Sequence, residues 1–393
     1  MGSVAEIETI VCRLPRRREW TSGAQTGGNS DRVLVRLGTD DGLDGWGEAT
    51  PIPTWGGLRG RYYGETCDTI VHVIHDLLAP SVFGCDPFDL ARILAEFARR
   101  IRGHFYAKSA VETALQDLRG KYAGQPVFRL LGGSVRPNVW VAHMLGLMSD
   151  DEALAEARNA AERDGVTAFQ VKGGADPDRD VRLISLLRES LPRGAFLRVD
   201  ANQGYGDEPK RVASVACRLE AAGADALEQP ASSVDAMAAA SRSVGIPVIA
   251  DEGCWQAADV LDLRRRRAAD GVSVYVMKAG GIGAAHDVAK VAALLGWPCD
   301  VNGSLETGIG TAASIHVALA LPNATLPSVI PVPSRGARRL TEFAGRYWMD
   351  DVVGEGFQYA DGRLTVTGGS GLGVTVDGDA VRALAVGRRA SRR

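Results

Sequence analysis

From about residue 138 the chain alternates short apolar segments with amphipathic ones, and this alternation constrains the fold more than any other feature. The apolar segments are VWVAHML (139–145), TAFQVKGG (167–174), AFLRVDANQ (195–203), DALEQP (225–230), PVIADE (247–252), VSVYVMKAGG (272–281) and PCDVNGS (298–304), with a weaker eighth at SVIPVP (328–333). Between them lie helical patterns such as DRDVRLISLLRES and AAHDVAKVAALLG. Strands alternating with helices predict a parallel sheet with right-handed crossovers. Seven or eight such units within roughly 200 residues favour a closed (β/α) barrel over an open doubly wound sheet. No GxGxxG follows the first strand, which argues against a dinucleotide-binding sheet.

The flanks read differently. Up to about residue 130, strands and helices mix without a repeat. DRVLVRLGTDDG (31–42) and DGWGEATP (44–51) read as antiparallel strands, and YAKSAVETALQDLRGKYAG (106–124) has the apolar spacing of an amphipathic helix. The polar, glycine-rich TSGAQTGGNS (21–30) reads as a mobile loop. The last sixty or so residues, with FQYADGRLTVTGGSGLGVTVD (357–377), return to strand-and-turn composition, and the closing GRRASRR is expected to fray. The expected fold class is α/β: a (β/α)7β TIM-type barrel with an α+β capping domain formed by the N-terminal region and the C-terminal tail. Residues 1–130 are assigned to the cap, 131–335 to the barrel and 336–393 to a segment returning to the cap. A chain of 393 residues accommodates this plan.

Composition removes other classes. The formal net charge is −3, so no basic surplus points to nucleic acid. The six cysteines are scattered without a CxxC pair, which fits reduced, buried thiols in a cytoplasmic protein. The first residues lack the apolar core of a signal peptide, and no apolar run reaches the ~18 residues of a membrane span.

Within the alternation, strand after strand finishes on an ionisable residue. The second ends at Lys172, the third at Asp200, the fourth at Glu228, the fifth at Asp251 and the sixth at Lys278. The C-terminal face of such a barrel is where active sites are built. Taken singly, each of these residues is as readily a salt bridge or a helix cap; five in succession point to a site. The three acids come from adjacent strands and can converge. Hard oxygen ligands, one per strand, suit Mg²⁺ (with Mn²⁺ as a substitute) better than zinc. Strands two and six lie opposite each other in an eight-stranded barrel, so Lys172 and Lys278 face each other across that point. A carboxylate substrate held there exposes its α-carbon to an amine on each side, and the metal stabilises the enediolate left when the α-proton departs.

At these residues the chain resembles the enolase superfamily, and within it the mandelate racemase/muconate lactonizing enzyme family, muconate cycloisomerase group. A lysine or histidine base beside Mg²⁺ is a known device of that superfamily. GWGEA (45–49) is similar to the family's capping strand. YAKSAVETALQDLRGK (106–121) and LLGG (130–133) resemble its barrel-entry helix and following turn. VDAN (199–202), EQP (228–230), ADE (250–252), VMKAGGIG (276–283) and GSLETGIGTAA (303–313) resemble its barrel motifs. The resemblance implies Asp200, Glu228 and Asp251 as Mg²⁺ ligands and Lys172 and Lys278 as an acid/base pair. It makes Asn202 and Glu252 supports of the metal site, and Glu306, with Asn302 on the seventh strand, a group near the substrate. It also implies a symmetric homo-oligomer.

One position departs from the family. Where relatives carry Lys-x-Lys on the second strand, this chain has Gln170-Val171-Lys172. An amide replaces a point charge beside the base, and the loss of that charge should leave the pKa of Lys172 higher. The GSLE stretch lacks the DxD of dipeptide epimerases, and the seventh strand, Asp300-Val301-Asn302, lacks the histidine of mandelate-racemase-like sites. His286 reads as a solvated or capping residue and His104 as a structural one. Trp20, Trp55, Tyr62 and Tyr63, on aromatic and glycine-rich loops, are candidates for shaping the substrate pocket. Arg264 to Arg267 read as a solvated helix face.

The expected function is therefore Mg²⁺-dependent enediolate chemistry on a small-molecule carboxylate, foremost a muconate-type lactonising cycloisomerisation. Racemisation or epimerisation of an amino-acid derivative and dehydration of a hydroxy acid use the same constellation. A Schiff-base aldolase-type barrel and a non-catalytic binding homologue are the readings from other classes.

Overall fold

The computed structural model describes residues 1–16, 21–22, 25–26, 30–57, 61–331 and 348–393. Two bodies of secondary structure build it. The first is a four-stranded antiparallel sheet in the order Ala385–Arg392, Val4–Arg13, Asp31–Thr39, Asp44–Ala49. The helix Phe105–Ala123 packs against its last strand. The glycines of GWGEA explain how closely: a Cβ on Gly47 would lie 1.9 Å from the carbonyl oxygen of Ala110 on that helix. Within the stretch 21–30, Thr21–Ser22 pairs with Gln25–Thr26, so it carries a small strand pair where a mobile loop was expected.

The second body is a seven-stranded parallel sheet. Its strands, in sequence and in space, are His143–Leu145, Ala168–Lys172, Phe196–Asp200, Ala226–Glu228, Val248–Ala250, Gly271–Val274 and Cys299–Val301. The connecting helices start on local signals. Ser149 and Glu152 form a capping box, and Asp176 and Glu208 cap helices that carry Pro177 and Pro209 at their first position. The eighth apolar stretch, with Leu326 just before it, bonds at or beside both edges of the sheet. Leu326 N donates to Cys299 O (3.1 Å) and Gly303 N to Val329 O (2.8 Å) on one side. On the other, Ser328 N donates to Trp140 O (2.8 Å) and Ala142 N to Ser328 O (2.9 Å). It does so without forming a regular strand, and its residues 332–333 lie outside the described residues.

Each body has its own core. The parallel sheet and its helices share one apolar cluster. The cap's cluster draws Trp255, Tyr275 and Met277 from loops of the parallel sheet, so the seam between the bodies is itself packed with large side chains.

Several segments differ from expectation. The first strand splits: Val139–Trp140 pairs with a C-terminal hairpin (Phe357–Ala360, Arg363–Val366), and only His143–Leu145 joins the parallel sheet. The sixth strand stops at Val274, and Lys278 sits on a helical turn, Val276–Ala279, ended by Gly280 and Gly281 at positive φ. The basic end does not fray. Ala385–Arg392 pairs with the first strand, and Arg388, Arg389 and Arg392 meet Glu8, Asp76 and Glu6. His286 is buried, not solvated, on the helix Ile282–Leu294. Cys12, Cys85, Cys254 and Cys299 are buried, whereas Cys217 is exposed. Among the described residues no helix is long and apolar enough to cross a membrane.

Candidate active site

Period two along doubly buried strands decides which side chains face the interior of the parallel sheet. Lys172, Asp200 and Glu228 stand in register on neighbouring strands, as do Gln170 and Arg198 two residues lower. The result is two polar layers inside the sheet, the upper opening at the C-terminal ends of the strands. Asp251 follows directly on the fifth strand.

The structure places the five expected charged residues at one end of the parallel sheet, paired as Lys172–Asp200, Glu228–Arg198 and Lys278–Asp251, and all five are buried. Lys172 Nζ donates to Asp200 Oδ2 and, at 3.1 Å, to Asn202 Oδ1. Gln170 Nε2 donates to the same Asp200 oxygen at 2.7 Å. Gln170 Oε1 accepts from Arg198 at 2.5 Å, and Arg198 also pairs with Asp300 and lies 3.1 Å from Glu228. The lower layer therefore holds a fixed guanidinium beneath the carboxylates. An amide at 170 suits this place: one end must accept from a cation and the other donate to an anion, which neither Lys nor Glu can do.

Across the sheet, Lys278 Nζ donates to Asp251 Oδ1 (2.6 Å), Asp251 O (2.7 Å) and Ser273 O (2.9 Å). Those three bonds use all three protons of the ammonium group. The rings of Tyr275 and Trp55 lie 4.7 and 5.8 Å from the same nitrogen.

Electrostatics follow from burial and crowding. Desolvation raises Glu228 well above the usual carboxylate range; Arg198 opposes this while Asp200, Asp300 and Asp251 add to it. Asp251 is raised by burial against the opposing pull of Lys278. Glu252, hydrogen-bonded to Asn202 Nδ2 at 3.0 Å, is pushed up to about 8 by burial and by the Asp251 and Asp200 charges. Burial pulls Lys172 down, but Asp200 and Glu228 outweigh it and the net direction is up. The expectation drawn from Gln170 concerns a comparison with a lysine at that position; the rise here comes from the carboxylates.

Whether these residues suit a divalent cation is tested by Glu228. Its carboxylate is fully buried, and neither oxygen takes part in a hydrogen bond, the nearby Arg198 Nε being misdirected for one. Buried carboxylate oxygens are normally satisfied, so the donor chemistry fits a hard cation. Asp200 and Asp251 are here turned onto lysines, and among the described residues no three His, Cys, Asp or Glu side chains are gathered into a cage.

The remaining candidates are more dispersed. Asn302 is tied between Ser273 Oγ (2.8 Å) and the Val329 amide (2.7 Å). Glu306 is buried beside Ser304, Glu48 and Arg32, and burial pushes its pKa up to about 7. Tyr62 gives its hydroxyl to Asp259 at 2.6 Å and stacks on Trp255, which places it in the packed seam. Tyr63 is exposed, edge-on to His104, and Trp20 lies outside the described residues. Arg198, Asp300 and Gln229 were missed as site residues. The signal for Arg198 was present: a charge two residues before Asp200 on a doubly buried strand shares its phase.

Comparison with known proteins identifies the family. Residues 152–380 match the family described as enolase C-terminal domain-like, and residues 6–132 match the mandelate racemase/muconate lactonizing enzyme N-terminal domain. The chain is 29% identical over 385 residues to muconate cycloisomerase 1 of Rhodococcus opacus, covering 97% of this chain and 98% of that protein. It is 32% identical over 381 residues to a chloromuconate cycloisomerase of Cupriavidus pinatubonensis, covering 96% and 97%. The crystal structure of N-succinyl Arg/Lys racemase from Bacillus cereus superposes with a TM-score of 0.89 at 25% identity, covering 100% of both chains.

Proposed function

This chain belongs to the mandelate racemase/muconate lactonizing enzyme family of the enolase superfamily, whose members are isomerases and lyases, and from that premise we propose that it is a cycloisomerase acting on an unsaturated dicarboxylate. The four backbone bonds made by residues 326–329 at or beside both edges of the parallel sheet, to Cys299, Gly303, Trp140 and Ala142, support reading it as a closed (β/α)7β barrel. Asp200, Glu228 and Asp251 are the residues that would hold Mg²⁺. A bound Mg²⁺ supplies positive charge against the carboxylate that gains electron density.

One observation carries the choice of reaction, the asymmetry of the two lysines. Every proton of Lys278 is given to a protein oxygen, two of them backbone carbonyls. This residue is a fixed ammonium that favours negative charge nearby. Lys172 is held through side chains, Asp200 and Asn202, which can move aside. It is the proton carrier. In the lactonising direction one substrate carboxylate forms a C–O bond to the distant alkene. The π electrons shift to the α-carbon of the other carboxylate, giving an enediolate, and Lys172 delivers a proton to that carbon. The reverse reaction returns the proton to Lys172.

A second reading, racemisation of an N-acylated amino acid, is supported by the full-length superposition on the racemase. It requires Lys278 to release a proton as well. Incubation with cis,cis-muconate in D₂O, followed by ¹H NMR, separates the two. Cycloisomerisation yields lactone with one deuteron at the α-carbon. No lactone, together with α-proton exchange in N-succinyl amino acids, overturns the proposal in favour of racemisation.

A further inference from the structure

Gln229 follows Glu228, and its backbone takes φ +38°, a left-handed conformation that a non-glycine residue adopts only at a cost. The residue is buried, 1% exposed, with no apparent part in proton transfer. Its hydrogen bonds explain why the strain is kept. The side-chain Oε1 accepts from the amides of Asp251 (2.8 Å) and Gly253 (3.0 Å), and Nε2 donates to Ala231 O (2.8 Å). Its backbone N donates to Ile249 O (2.9 Å), and its carbonyl accepts from Gln203 N (2.7 Å). Gln203 and Asn202 are themselves at positive φ, +68° and +43°. One residue thus ties together the turns that follow the third, fourth and fifth strands, which begin directly after Asp200 and Glu228 and at Asp251.

We infer that Gln229 is a positioning residue that sets the three carboxylates relative to one another, and so tunes cation binding without touching substrate. The inference rests on the reading of those carboxylates as the Mg²⁺-holding set. Two features make the amide specific. Both accepted bonds come from backbone N–H groups of a single turn, so losing them frees that turn as a unit. Only an amide of this length also donates back to Ala231 within its own turn. A side chain of equal size without polar atoms would fill the space and release all three bonds.

The test is cation affinity, measured with Mn²⁺ alone on the full chain by calorimetry or electron paramagnetic resonance. Gln229→Met is expected to keep its circular dichroism spectrum and to bind Mn²⁺ about 10–100-fold more weakly, the usual cost of removing a group that orients a ligand. Hydrogen exchange should quicken in peptides covering residues 251–253 and stay unchanged across Phe196–Asp200. A merely structural role would not confine the change in this way. Gln229→Asn, whose shorter arm cannot reach both amides, is the second variant should the methionine fail to fold. A folded variant of either kind with wild-type Mn²⁺ affinity overturns the inference. Glu228→Gln is the control: if it too leaves Mn²⁺ binding unchanged, the carboxylate assignment itself has failed, and the role of Gln229 falls with it.

Discussion

The two lysines at the mouth of the parallel sheet are the same residue in contrasting settings. Lys172 ends a strand, and its amine is met by a carboxylate and an amide side chain, with Gln170 and Arg198 beneath. Lys278 rides a helical turn. It is met by two backbone carbonyls and a carboxylate under the rings of Tyr275 and Trp55. A side-chain partner can rotate away through one torsion, whereas a backbone carbonyl fixed in a strand (Ser273) or a hydrogen-bonded turn (Asp251) cannot. In the proposed function the first setting serves proton transfer and the second a fixed charge. Identical side chains, one at a strand end and one on a helical turn, are set apart by what surrounds them.

The contrast breaks most visibly at Lys172. Lys172→Arg keeps the positive charge beside Asp200 but cannot give up a proton. Turnover should fall by about 10²–10⁴-fold, the range for losing a general acid or base, with the thermal transition little changed. A variant that retained turnover would show that only charge is needed there. The next effect lies on the other side. Lys278→Met removes the buried counter-charge of Asp251 and takes one donor from each of two carbonyls, of which Asp251 O keeps the Cys254 amide. Urea unfolding in the absence of divalent cations should register a loss of roughly 3–5 kcal/mol. A loss under about 1 kcal/mol would mean the aromatic enclosure, not the ion pair, maintains that side.

The smallest effect serves as a reference far from either lysine. His316, fully buried, accepts from the Phe128 amide, and burial lowers its pKa to about 4; His75, between Thr9 and Ser391, is lowered to about 4 as well, first by burial and then by Arg389. The unfolded chain takes up these protons near pH 6.5 and the folded one only near pH 4. Stability is therefore fully present above about pH 6.5 and declines as pH falls toward 4. His316→Gln, which keeps an acceptor for Phe128, should flatten part of that decline in thermal melts between pH 7 and 4. An unaltered slope would assign it to other groups.

The positions of these residues were legible where the information is local. Lys172, Asp200 and Glu228 each end a short doubly buried strand, and an alternating pattern places them on one face. The helical turn under Lys278 was not legible, because VSVYVMK is rich in β-branched and aromatic residues and reads as strand. What turns it is Gly280 and Gly281 at positive φ, together with Lys278 reaching back to Ser273 and Asp251. Contacts between distant segments were hidden for a different reason. Glu48 on the cap accepts from Thr307 N and Oγ1 and from Gly310 N at the start of the helix Gly308–Ala320, and nothing near either residue announces the other. The same holds for GRRASRR, whose charges look like a solvated end until Glu6, Glu8 and Asp76 are placed opposite them.

The pairing of Ala385–Arg392 with Val4–Arg13 has a temporal consequence. Thr9 and Arg389, hydrogen-bonded at 3.4 Å, are 380 residues apart in the chain. On the ribosome the first strand is made early and must wait through the synthesis of the entire parallel sheet before its outer neighbour exists. Until then it presents an open edge of backbone donors and acceptors, the kind of surface on which chains aggregate. The cap sheet is thus the last part that can be completed, and its assembly is a step that a slow ribosome or a chaperone has time to govern.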